Sequence, residues 1–137
     1  MMTEPNTGEG RTGPNILIVD DSAMMRTMIK RVAGLAGTPI GTIFEAANGR
    51  EALAILERHP VQFVFTDLTM PVMTGTELLR EMQTRDHWRG IVRVIISTDG
   101  SDSRRDEAKD LSVSLYVEKP FRPEEMRDVL TSLTPAP

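Results

Sequence analysis

The sequence predicts an α/β domain of (βα)₅ form, a five-stranded, doubly wound parallel sheet with helices on both faces. Three observations predict it. Short β-branched-rich runs alternate five times with segments of helical periodicity, as strands joined by crossover helices do. Several of these runs are continuously apolar rather than alternating, as strands buried on both faces require. The length of 137 residues suits one domain and one core.

Ile16-Leu17-Ile18-Val19 is the first strand, and Ser22 caps a helix whose inward stripe is Met25, Met28, Ile29, Val32 and Leu35. Gly37, Pro39 and Gly41 end that helix, and Ile43 to Ala46 form the second strand. Asn48 with Glu51 makes a capping-box-like start for a helix through Leu56. Phe63-Val64-Phe65 is the third strand, and Thr74 with Glu77 caps a helix carrying Leu78, Leu79 and Met82. Val92 to Ile96 follows as strand, Ser103 to Leu111 as a charged helix, and Leu115-Tyr116-Val117 as the last strand. Pro123 opens a final helix with Met126, Val129, Leu130 and Leu133 facing inward.

Residues 1–14 read as a flexible tail without the apolar region of a secretory signal, and residues 134–137 as a frayed end. The net charge of −4 argues against nucleic acid or a membrane surface as partner, and no run is long enough to span a bilayer. The absence of cysteine removes disulfides, thiolate metal sites and a Cys nucleophile, and a cytoplasmic location is expected.

Ligands of such sheets bind beyond the carboxyl ends of the strands. There the sequence places Asp20-Asp21-Ser22, Asp67, Ser97-Thr98-Asp99 and Lys119-Pro120. Each has a bland reading alone: helix start, turn former, strand-end hydroxyl, solvated charge. Together they read as a site. Three carboxylates need a cation, and Mg²⁺, with Mn²⁺ as an alternative, suits one or two carboxylates, waters and phosphate oxygens. Asp67 is then placed to act as a nucleophile forming an aspartyl-phosphate, with Lys119 and Ser97 contacting the phosphoryl oxygens.

Asp20-Asp21, the stretch Asp67-Leu68-Thr69-Met70-Pro71-Val72-Met73-Thr74-Gly75, Ser97 and Lys119-Pro120-Phe121 together resemble the receiver domain of bacterial response regulators, over residues 15–133. The resemblance implies a flavodoxin-like, CheY-like strand order of 2-1-3-4-5. It implies that Asp67 is the phosphoacceptor, served by a histidine kinase or a small acyl phosphate. Asp21 and Asp67 would bind the metal with the Thr69 backbone carbonyl, and Asp20 largely through water. Ser97 would be the switch hydroxyl, Lys119 the phosphate-contacting lysine in a cis Lys119-Pro120 pair, and Tyr116 the aromatic switch. Thr69 and Asp99 hold the positions that tune autodephosphorylation. Thr98 leaves the switch hydroxyl ambiguous, although the spacing to Lys119 favours Ser97.

The resemblance further implies a monomer that promotes only its own phosphorylation and dephosphorylation. No output domain is expected after Leu133, so signalling would run by protein contact through the face of helix four, strand five and helix five. Arg104, Arg105, Lys109, Tyr116 and Glu118 lie there, although pairs such as Asp106 with Lys109 also suit a plain solvated helix. The segments Asp20 to Arg26 and Ser97 to Gly100 look most like chemotaxis regulators, which points to the flagellar motor switch as target. A phosphate-sink or relay role would look the same in sequence.

Other readings fit less well. A haloacid-dehalogenase-type phosphatase wants a second Asp where Thr69 stands. A flavodoxin-like cofactor binder would meet repulsion from Asp20-Asp21. A pseudo-receiver that never takes phosphate is opposed by the complete acidic pocket. The segment Thr98 to Asp102 lacks the Glu that closes an EF-hand loop. His59 and His87 read as surface residues, and Trp88 as a packing anchor in a loop.

Overall fold

The computed structural model describes residues 13–133. Five parallel strands, β1 (Ile16–Val19), β2 (Ile43–Ala46), β3 (Phe63–Thr66), β4 (Val92–Ser97) and β5 (Leu115–Glu118), lie in the order β2-β1-β3-β4-β5. Between and after them run α1 (Ala23–Leu35), α2 (Gly49–Arg58), α3 (Gly75–Gln83), α4 (Asp102–Lys109) and α5 (Pro123–Ser132). The predicted fold class and strand order are those observed.

Strand parity divides the core in two. Ile16, Ile18, Phe63, Phe65, Val92, Val94 and Ile96 pack against Ile29 and Ala33 of α1 and Met126 and Val129 of α5. Leu17, Val19, Val64 and Ile95 point the other way, onto Ala52 and Leu56 of α2, Leu78, Leu79 and Met82 of α3, and Ala108 of α4. Successive strand residues face opposite sides, so a continuous apolar run fills both layers.

Local chemistry sets the helix starts. Ser22, Asn48, Thr74 and Ser101 each accept an N-terminal backbone N–H at α1, α2, α3 and α4. Thr74 and Glu77 form the expected capping box. At α2 the Glu51 carboxylate instead reaches back one residue further, to the N–H of Ala47.

Several details depart from expectation. Met28 and Leu35 are 51% and 66% exposed, and Ala33 and Ala36 take the inward places. Helix α4 spans Asp102–Lys109 rather than 103–111, because Ser101 supplies the cap and starts the helix one residue earlier, and Leu111 is buried from the following loop. A 3-10 turn, Asp86–Trp88, occupies the segment read as a loop, and Trp88 is buried there as the anchor expected. His59 and His87 are exposed, although His59 stacks on Phe44 at 4.6 Å. Of the predicted tail, residues 1–12 lie outside the described residues, as does 134–137. Gly13 and Pro14 lie against the chain before β2, where the Pro14 carbonyl accepts the Gly41 N–H at 2.8 Å.

Candidate functional site

Register builds the site. Val19 of β1 pairs with Thr66 of β3, so the residues that follow, Asp20 and Asp67, leave the sheet side by side. The Asp67 N–H still bonds Val19 O at 3.0 Å, and the Asp20 N–H bonds Ala46 O at 3.0 Å. Ser97 pairs with Glu118 at the far strands, and the Lys119 N–H closes on Ser97 O at 2.8 Å. Three strand ends and the last connection are thus fixed by backbone bonds before any side chain acts.

The Lys119 ammonium sits between the two carboxylates, 3.2 Å from Asp20 Oδ2 and 3.2 Å from Asp67 Oδ2. The side chains of Lys119, Asp20 and Asp67 are 12%, 4% and 17% exposed. The other Asp20 oxygen accepts the Ser22 N–H at 2.9 Å, and the other Asp67 oxygen the Leu68 N–H at 2.7 Å. Burial by itself pushes the Lys119 ammonium down, but Asp67, then Asp20, and the hydrogen bonds to both outweigh it and hold it above its ordinary value.

The loop after β3 is held close beneath Asp67. The Gly75 N–H bonds Leu68 O at 2.9 Å, and a Cβ on Gly75 would lie 1.9 Å from the Asp67 carbonyl oxygen, so only glycine allows this approach. Val72 is 71% exposed at φ +69°, uncommon for a β-branched residue, in a turn closed by the Met73 N–H on Pro71 O.

On the β4 side, Asp99 joins the two expected switch residues through its own backbone. Its N–H donates to Ser97 Oγ at 3.1 Å, and its carbonyl accepts the Tyr116 hydroxyl. Ser97 is buried and Thr98 is exposed, so the two adjacent hydroxyls occupy different surroundings. The Asp99 carboxylate faces away, taking the Ser101 N–H at 3.0 Å and lying 3.5 Å from Arg104. Those partners, the Ser101 backbone first, hold it below the usual carboxylate range.

Not every predicted member joins the cluster. Asp21 and Thr69 are exposed, and among the described residues no three His, Cys, Asp or Glu side chains gather into a ready-made metal site. Instead of three carboxylates, the centre is two carboxylates and an ammonium: Asp20 is buried against Lys119 and the Ser22 N–H, whereas Asp21 is exposed. The donors available are all hard oxygens, which fits Mg²⁺ or Mn²⁺, since Mg²⁺ needs only one or two carboxylates and keeps several waters. For two residues that the sequence reading named only within a chemotaxis-like segment (Arg26) and on the output face (Arg105), the contacts themselves were not foreseen. Arg26 donates to the Asp20 carbonyl and pairs with Glu45 at 3.0 Å, and Arg105 covers Tyr116. Nothing in a charged helical stretch distinguishes such contacts from solvated charge.

Residues 16–131 match the response regulator receiver domain. The chain belongs to that family. It is 32% identical over 122 residues to the chemotaxis protein CheY of Thermotoga maritima, covering 89% of this chain and 98% of that one. It is 35% identical over 121 residues to sporulation initiation phosphotransferase F of Bacillus subtilis, covering 88% and 93%. Among solved structures, the chemotaxis response regulator CheY4 of Vibrio cholerae matches at a TM-score of 0.78 and 30% identity, over 89% and 99% of the two chains. This receiver is therefore a CheY-like component of two-component signalling, a class that works with histidine kinases and downstream targets and binds a divalent metal. Among its described residues no helix is long and apolar enough to cross a membrane.

Proposed function

We propose that this receiver accepts a phosphoryl group on a carboxylate oxygen of Asp67 from the phosphohistidine of a histidine kinase, and passes the signal on by protein contact. The observation that carries it is the Lys119 ammonium held 3.2 Å from Asp67 by a buried second carboxylate. The Asp67 oxygen attacks phosphorus, an O–P bond forms, and the P–N bond breaks with its electron pair returning to the imidazole, which a proton neutralises. The Leu68 N–H keeps the carboxylate aligned, and Lys119 compensates the charge on the phosphoryl oxygens. Asp20, Asp21, Asp67 and the Thr69 carbonyl would hold Mg²⁺, which when bound offsets the repulsion between carboxylate and phosphoryl group.

Ser97 and Tyr116 are the switch pair in this reading, coupled through the Asp99 backbone. Thr69, open to solvent, and Asp99 tune the return reaction, and Asp99 does so only when its bonds to Ser101 and Arg104 open. Output runs through α4, β5 and α5 from a cytoplasmic monomer. The CheY relatives support the flagellar motor switch as the target. The likeness to a sporulation phosphotransferase supports a second reading, a relay intermediate that hands phosphate to another histidine.

Intact-mass measurement after acetyl phosphate and Mg²⁺ tests the proposal. One added phosphoryl group is expected for the wild type, and none for Asp67→Asn or without divalent metal. No addition even from a phosphohistidine donor would overturn it and leave a pure interaction module. Offering the phosphorylated protein purified switch protein and a histidine phosphotransfer protein separates motor control, seen as binding, from relay, seen as loss of the phosphoryl group.

A further inference from the structure

Arg26 stands in the first turn of α1, where the helix dipole favours anions and a cation gains nothing from it. Its place is explained by what the side chain reaches. Nη1 donates to the Asp20 carbonyl, and Nε donates to Glu45 of β2 at 3.0 Å. Lys30, one turn further along α1, donates to the other Glu45 oxygen at 3.0 Å. Burial alone pushes the Glu45 carboxyl up, but the bonds from Lys30 and Arg26 outweigh it and hold it below its ordinary value, so an anion faces the guanidinium at neutral pH.

The Asp20 carbonyl belongs to the peptide unit that joins Asp20 to Asp21. That unit is planar, so ψ of Asp20 and φ of Asp21 are the soft torsions on either side of it, and both change if the carbonyl swings. Asp20 is otherwise fixed: its N–H bonds Ala46 O, and its two carboxylate oxygens face the Ser22 N–H and Lys119. Asp21 lacks such ties. It is exposed, and its carboxylate has no bonding partner among the described residues. The direction of that carboxylate therefore depends on the peptide unit before it, and the side chain that holds the unit is Arg26.

We propose that Arg26, braced on Glu45, is a positioning residue of the metal site: by fixing the Asp20–Asp21 peptide unit it presets the Asp21 carboxylate as a ligand for the divalent ion. This rests on the reading of Asp20, Asp21, Asp67 and the Thr69 carbonyl as the ion's ligands. A preset ligand costs less to order on binding than a loose one, which is what a supporting group gives a metal site. A guanidinium suits the task, because its planar fork holds a carbonyl and a carboxylate together, whereas an ammonium is a point donor. Charge alone predicts the opposite sign, since a nearby cation repels a divalent ion and its removal would tighten binding.

The probe is Mn²⁺, titrated into the full chain at fixed ionic strength, with the free ion read by electron paramagnetic resonance. No phosphoryl chemistry enters that readout. Arg26→Ala is expected to bind Mn²⁺ about tenfold more weakly, the lower end of what loss of a supporting group costs a metal site. Arg26→Lys, which keeps the charge and loses the fork, is expected to recover less than half of that loss. Urea unfolding checks that both variants are folded, and Arg26→Gln, which also loses charge and fork, replaces the alanine if that one is not. Unchanged or tighter binding in folded Arg26→Ala, or wild-type binding in Arg26→Lys, overturns the brace. Asp21→Asn tells this apart from failure of the metal-site reading. Lost binding there beside wild-type affinity in Arg26→Ala ends the brace alone, whereas wild-type affinity in Asp21→Asn ends the metal-site reading and the brace with it. Weaker binding in Arg26→Ala while Asp67 takes no phosphoryl group in any protein would retain the brace and overturn phosphotransfer instead.

Discussion

Near each end of the sheet lies a cation withdrawn from solvent, half-buried Lys119 and buried Arg93, and the two are built differently. At the carboxyl edge Lys119 lies between Asp20 and Asp67, and its ammonium is held above the ordinary lysine value. At the amino end of β4, Arg93 is 3% exposed, with no ion pair among the described residues. One of its nitrogens donates to the Trp88 carbonyl at 2.7 Å and its Nε has no partner, and burial lowers its pKa. A charge neutralised by carboxylates can exchange those partners for a phosphoryl group, whereas a charge satisfied by a backbone carbonyl can only fasten the turn that carries it. The edge proposed to take phosphate is the one where opposite charges are concentrated, and the other edge is one where a charge is merely tolerated.

Substitution of each cation by methionine breaks the comparison most directly. Lys119→Met leaves two neighbouring carboxylates without their counterion, and is expected to cost about 3 kcal/mol in chelator, partly recovered by Mg²⁺. Phosphoryl uptake should fall about 100-fold. Urea unfolding and the mass assay read the two effects, and full stability in chelator would show that the ammonium is not the counterion of the pair. Arg93→Met, which removes an incompletely bonded guanidinium and keeps an unbranched chain, is expected to raise stability by about 1 kcal/mol with unchanged phosphorylation. Destabilisation there would mean that the Trp88 carbonyl bond outweighs the unpaired Nε.

The smallest effect is in pH. Because the folded Lys119 value is raised, its contribution is fully present below the unfolded lysine value, about 10.4, and is lost as pH rises through the folded value. The stability gap between wild type and Lys119→Met should therefore narrow in that alkaline range, and a gap that stays constant there would contradict the raised value.

The fold was legible because its determinants are local and periodic. Continuous apolar runs, capping pairs such as Thr74 with Glu77, and Pro123 at the start of α5 all act within a few residues. Inward faces were less legible where packing overrides pattern, as at Met28 and Leu35, which are apolar yet exposed. The shared placement of the candidate residues was legible for a topological reason: a parallel sheet brings its carboxyl strand ends together, so Asp20, Asp67, Ser97 and Lys119 had to share one edge.

By itself, then, the sequence determined which residues reach that edge, since strand ends and parity follow from short-range pattern, whereas the strand order came only with the family resemblance. Tertiary structure decided what they do to one another. That Lys119 lies between two carboxylates, that the Asp99 carbonyl accepts the Tyr116 hydroxyl, and that Arg105 closes over the ring are contacts between separate elements of the fold. Their geometry depends on register and close packing to within an ångström, and no pattern of residue types along the chain encodes distances of that size.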